Sequence, residues 1–213
     1  MSKGKMLILP GVGNHDDVVY QDDCGKPNSN YVKGSGTDEE RQKGKTFGAL
    51  HDLYAKKFAE WNHYDPEVLN VSGEAYTQRM APMIPQVQAA LTRLKGKGGK
   101  DYKALYGFSG GGYNILPILE HLSPGERDNL DIVIVLAAPG SVEAYKKLLP
   151  ARSDGTPRVI YYDGKSGDSS SYNLPPFASD KHMFLPWWLL SQDASHKDEF
   201  NTLEKDRQTR CSK

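Results

Sequence analysis

The run Ile132-Val133-Ile134-Val135-Leu136 constrains the fold more than any other stretch of the chain. It has five apolar residues in succession, four of them β-branched, with no polar residue at alternate positions. A strand points successive side chains to opposite faces, so an unbroken apolar run implies burial on both faces. Sheets covered on both faces are typically parallel, because helical crossovers lie over them.

The neighbouring segments agree with that reading. Met6-Leu7-Ile8-Leu9 reads as a buried strand stopped by Pro10-Gly11, and Lys103–Phe108 and Arg158–Tyr162 read as two more. A short strand is expected at Val68–Val71, ended by Ser72-Gly73. Between them lie helical stripes: Phe47, Leu50, Tyr54, Phe58 and Trp61; then Met80, Met83, Ile84, Val87, Leu91 and Leu94; then Ile115, Ile118, Leu119 and Leu122. Pro82 and Pro85 suggest that the second helix starts near them, since proline is tolerated in a first turn. Val142–Leu149 and Phe184–Ser191 add short helices, and the rest of the C-terminal region reads as loop and a charged tail. The expected fold is therefore an α/β three-layer sandwich with a mostly parallel sheet of about five strands. One domain is expected over residues 1–213, carrying a long polar loop at about 13–45.

Charge removes some partners. The 27 basic and 27 acidic residues balance, so no long-range field draws the chain to nucleic acid or an anionic membrane. Nothing approaches a membrane span, and the apolar run before Pro10 is too short for a signal-peptide core. A cytoplasmic location is expected, with a mature secreted form as the alternative. The two cysteines, Cys24 and Cys211, are too few for a disulfide framework and are expected as free thiols.

The sharpest motif is Gly107-Phe108-Ser109-Gly110-Gly111, a G-x-S-x-G sequence between an expected strand and an expected helix. A turn this tight brings the residues two before and two after the serine face to face, and glycine at both places removes the clash. Ser109 then stands at a helix N-terminus, where free N–H groups favour negative charge, and the Gly110 N–H becomes a donor to an oxyanion. The plain alternative is a glycine-rich turn without chemistry. A phosphate-cradling loop is a second alternative. Ser109-Gly110-Gly111-Gly112 is similar to the S-G-G loop of ATP-pyrophosphatases, but Tyr113-Asn114 stand where that family has Asp-Ser, and no Walker lysine follows.

On this motif and element order the chain resembles the α/β-hydrolase superfamily, in a compact form similar to cutinases and small serine esterases. The resemblance runs from Met6 to about Leu190, with the Ser109 turn its one specific motif. It implies a triad in the chain order serine, acid, histidine. Only His182 and His196 follow the last expected strand; His15, His51, His63 and His121 precede it and read as structural. His182, ahead of an apolar helix, is favoured as the base. His196 is the alternative, in charged surroundings that read as solvated surface. The acid is expected after Tyr162. Asp168, in Gly164-Lys165-Ser166-Gly167-Asp168, is favoured over Asp163 for its likeness to the family's G-x-x-D turn, although it has one residue more. The family's H-G-x-G loop finds its counterpart in Pro10-Gly11-Val12-Gly13, with Pro10 in place of the histidine, and makes the Val12 N–H the second oxyanion donor.

The resemblance implies hydrolysis of a carboxylic ester or thioester through an acyl-serine, on a small-molecule acyl substrate, with no cofactor and no metal. Phe184–Leu190 either lines an acyl pocket or, more commonly for such aromatics, belongs to the core. A non-catalytic binding protein of the same fold and a nucleotide-binding α/β protein are the alternatives.

Overall fold

The computed structural model describes residues 1–10, 49–69, 84–138, 141–162 and 185–212, excepting the side chains of 49–52 and 211. Its strands β1 (Lys5–Leu9), β2 (Asp65–Val68), β3 (Tyr102–Phe108), β4 (Ile132–Leu136) and β5 (Val159–Tyr162) form one sheet in the order β2-β1-β3-β4-β5. Every pair is parallel, with Leu9 opposite Gly107, Phe108 opposite Leu136, and Leu136 opposite Tyr162. Seven α-helices accompany the sheet among the described residues: α1 (Ala49–Trp61), α2 (Pro85–Lys95), α3 (Gly110–His121), α4 (Pro124–Asp128), α5 (Val142–Leu148), α6 (Leu185–Ser191) and α7 (Lys197–Cys211).

The unbroken apolar runs are explained by the two layers they fill. Leu7, Leu9, Val133 and Val135 face α2, α3 and α5, packing with Val87, Ile118 and Tyr145. Met6, Ile8, Ile134 and Leu136 point the other way, against α1 and α6, where they meet Ala55, Ala59 and Trp188. Each residue so buried contributes roughly 1.5–3 kcal/mol. Leu185, Trp188, Leu189 and Leu190 are buried, so the apolar stretch before Ser191 is core. Trp187 is half-buried against Phe200 at 5.7 Å.

Two expectations are corrected. The second strand begins earlier than expected, at Asp65, and ends at Val68, which pairs with Ile8; the Leu69 N–H donates to the Ile8 carbonyl at 2.8 Å, and residues 70–71 of the expected strand lie outside the described residues. β2 is an edge strand, which tolerates Pro66 and a polar Glu67. Glu67 is held by Arg93 (2.8 Å), the Tyr102 hydroxyl (2.9 Å) and Lys5 (3.3 Å). The charged tail is the helix α7. It has no apolar stripe for periodicity to detect, and forms through a Glu204–Arg207 ion pair at 3.0 Å and contacts to the body. The Tyr54 hydroxyl donates to Glu204 at 2.8 Å, and Phe200 meets Trp187 edge-on.

Candidate functional site

In a parallel sheet the chain leaves every strand at the same edge, and a crevice opens where the strand order reverses. Here β1 connects outward to β2, and the chain then returns to the other side of β1 as β3. The reversal therefore lies between the carboxyl ends of β1 and β3. Those ends carry Leu9-Pro10 and Phe108-Ser109.

Ser109 has φ 51° and ψ −120°. This is the conformation of the first central residue of a type II′ turn, a place ordinarily taken by glycine. In a residue with a Cβ it stores on the order of 1–3 kcal/mol. The strain has a visible consequence. Ser123 and Ser141, the N-caps of α4 and α5, have extended backbones and accept hydrogen bonds from the Glu126 and Glu143 N–H groups. Ser109 is the N-cap of α3, yet its side chain makes no cap hydrogen bond. Its hydroxyl is thus turned away from the N–H groups that an N-cap serine usually satisfies. The backbone itself is pinned: the Ser109 N–H donates to the Leu136 carbonyl at 2.8 Å, and its carbonyl accepts from the Tyr113 N–H at 3.0 Å.

Glycines make the turn possible. A Cβ on Gly107 would lie 2.6 Å from the Gly111 carbonyl oxygen. A Cβ on Gly111 would lie 2.0 Å from the Leu9 oxygen, and one on Gly112 would lie 2.9 Å from the Leu136 oxygen. The first turn of α3 thereby rests directly on the ends of β1 and β4. Ala137, immediately after β4, is also left-handed at φ 55°, so two adjacent strands both end in strained residues. Tyr113, one helical turn past Ser109, is the only Phe, Tyr or Trp exposed among the described residues. Partial burial raises its hydroxyl pKa above the ordinary value.

Of the sequence-expected site residues, Ser109 and Gly110 stand together at this reversal of the strand order. Val12, Asp163, Asp168 and His182 lie outside the described residues. The chain leaves β5 at Tyr162 and rejoins at Leu185, the first residue of α6. His196 stands elsewhere: its neighbours Ser195, Lys197, Asp198 and Glu199 are exposed, as expected of solvated surface, while its own ring is half-buried. Its ring stacks on Trp61 with centroids 4.9 Å apart, and its Nδ1 meets Asp193 at 2.9 Å. Trp61 ends α1 at the amino edge, where the Lys3 N–H donates to the His63 carbonyl just before β1. Ser109 lies across the sheet, beyond the 7 residues of β3, a distance of about 20 Å. His196 therefore has a packing role and cannot serve Ser109. His121 is also occupied locally, its Nδ1 lying 2.7 Å from the Pro117 carbonyl, and His63 is exposed at the amino edge.

Two buried residues beside the turn escaped the sequence reading: Gln86 on α2 and Asn114 on α3, both 0% exposed. A signal existed. Asn114 is spaced i+3 from Gly111 and i−4 from Ile118, on the apolar stripe of its helix, and Gln86 is four residues before the buried Ala90. A polar residue on an apolar stripe is an anomaly in such a pattern.

No protein-family model matches the chain, and neither the curated proteins nor the solved structures contain a significant match. Among the described residues, no helix is long and apolar enough to cross a membrane. No group of three or more His, Cys, Asp or Glu among them could hold a metal ion.

Proposed function

We propose that the chain is a serine hydrolase of the α/β-hydrolase type, cleaving a carboxylic ester or thioester at Ser109. The observation that carries the reading is the Ser109 backbone, φ 51° and ψ −120°, on a strand-to-helix turn at the point where the strand order reverses. A sheet does not keep a strained serine at that place for packing, since glycine would fit without strain. Three buried glycines that only a close turn requires support the same reading.

The chemistry follows from the residue types. The Ser109 Oγ attacks the acyl carbon while its proton passes to an imidazole, assigned to His182 in the connection from β5 to α6. Asp168, in the same connection, holds the imidazole in the required tautomer. The carbonyl oxygen becomes an oxyanion facing the N-terminus of α3, where the Gly110 N–H and the helix dipole stabilise it; Val12 supplies the second donor. Collapse breaks the bond to the alcohol or thiol, which leaves with the proton from the imidazole. Water then repeats the sequence on the acyl-serine and releases the acid.

The test is covalent labelling by a fluorophosphonate probe. Wild type is expected to react, Ser109→Ala to remain unlabelled, and His182→Ala to turn over an ester several orders of magnitude more slowly. A folded wild type that does not react overturns the proposal. Turnover is expected to survive EDTA.

One observation favours a second reading. The order 2-1-3-4-5 is shared with doubly wound sheets that bind nucleotides at the same crevice, and Ser109–Gly112 would then cradle a phosphate. That reading expects ATP to raise the melting temperature.

A further inference from the structure

Gln86 and Asn114 form a buried polar chain aimed at the backbone beside Ser109. The Asn114 Nδ2 donates to the Gln86 Oε1 at 2.6 Å, and the Gln86 Nε2 donates to the Pro10 carbonyl at 3.2 Å. The direction of the chain is set at its end. A carbonyl can only accept, so Gln86 must present its NH₂ to Pro10 and its oxygen to Asn114, which must then donate. The Pro10 oxygen also lies against the first turn of α3, where a Cβ on Gly111 would come within 2.7 Å of it. The carbonyl is thus held between Gln86 and the serine turn.

Packing does not explain this pair. Both side chains are 0% exposed beside apolar neighbours, and the Asn114 Oδ1 has no hydrogen-bond partner among the described residues. Two apolar residues of similar volume would remove that unsatisfied oxygen but leave the Pro10 carbonyl without the Gln86 donor. What they could not do is orient that carbonyl. Holding the Pro10 oxygen fixes that carbonyl, just past β1, against Gly111 in the first turn of α3. That turn carries the Gly110 N–H, assigned above as an oxyanion donor.

We propose that Gln86, itself oriented by Asn114, is a positioning residue that seats the Pro10 carbonyl against the first turn of α3 and through it holds the Gly110 N–H in line with the oxyanion at Ser109. The proposal rests on the serine-hydrolase reading. Its test compares a p-nitrophenyl ester with its thiono analogue, in which C=S replaces C=O and accepts hydrogen bonds poorly. Gln86→Met keeps the length of the side chain and removes the donor. It is expected to lower kcat on the oxo ester about 10- to 100-fold, with KM within about twofold. The thiono ester, which draws little on the oxyanion donors, is expected to slow by no more than about threefold, so the oxo preference collapses. Asn114→Leu, which releases Gln86 without altering it, is expected to act in the same direction by about 3- to 10-fold. It also carries the test if Gln86→Met does not fold. Equal losses on both esters, or an unchanged kcat, overturn the positioning role while leaving Ser109 reactive to the probe. A wild type without Ser109-dependent turnover overturns both proposals, and the labelling experiment reveals that case separately.

Discussion

Replacing Gly111 by alanine puts a methyl carbon 2.0 Å from the Leu9 carbonyl oxygen and 2.6 Å from its carbon. Real Cβ contacts essentially never fall below 3.0 Å, so α3 and the end of β1 must part by at least 1.0 Å. The obstacle is backbone in an inner strand of the sheet, paired on both sides, and no side-chain rotation relieves it. Overpacking of this kind costs typically 1–3 kcal/mol, and the rigid neighbour puts Gly111→Ala at about 3 kcal/mol. The gain in helix propensity returns about 1 kcal/mol. The expected net loss is about 2 kcal/mol, or about 4–8 °C in Tm for a chain of this size. Gly125 provides the control, because it lies in α4 and a Cβ there would meet nothing within 4 Å. Gly125→Ala is expected to stabilise by about 0.4–1 kcal/mol. Urea unfolding of the two variants beside wild type reads the difference directly. If Gly111→Ala unfolds within about 0.5 kcal/mol of wild type, the close seating of the serine turn on β1 is wrong.

Three further outcomes are expected. Ser109→Gly relieves the left-handed strain that Ser109→Ala retains, so it is expected to be about 0.5–2 kcal/mol the more stable of the two in denaturant, after allowing for the entropy of glycine; equal stabilities would contradict the strain. Burial alone would raise the Glu67 pKa, but its bonds to Arg93, Tyr102 and Lys5 together hold the carboxyl below its ordinary value. Its stabilising contribution is therefore complete above the ordinary carboxylate range and is lost as pH falls through the depressed value, so the stability gap between wild type and Glu67→Gln is expected to narrow on acidification. A gap that widens would reverse the sign of that coupling. Finally, His196→Ala is expected to cost about 1–2 kcal/mol by removing the stack on Trp61 and the bond to Asp193, while the labelling rate of Ser109 stays unchanged; slower labelling would place His196 in the chemistry after all.

Much of the scaffold was legible because it rests on local periodicity. The apolar run from Ile132 to Leu136 marked a doubly covered strand, and the structure buries its side chains alternately in the two layers. The glycines around Ser109 were legible for a related reason: a turn that brings positions 107 and 111 together excludes side chains at both, and the Gly111 oxygen does stand where a Gly107 Cβ would go. Asp65–Val68 was missed because an edge strand needs only one partner and little apolar pattern, and α7 because a helix held by the Glu204–Arg207 ion pair and by contacts to Tyr54 and Trp187 shows no stripe.

Sequence alone determined that this chain builds a helix-covered parallel sheet and that a serine stands on a glycine-lined turn, because both follow from residues within a few positions of one another. Tertiary structure alone decided that the strand order reverses beside that serine, that its backbone is left-handed with no cap bond, that His196 is seated at the far edge, and that Asn114 links through Gln86 to Pro10. These depend on which distant segments pair, and the side-chain period of an isolated strand or helix is the same whatever lies next to it.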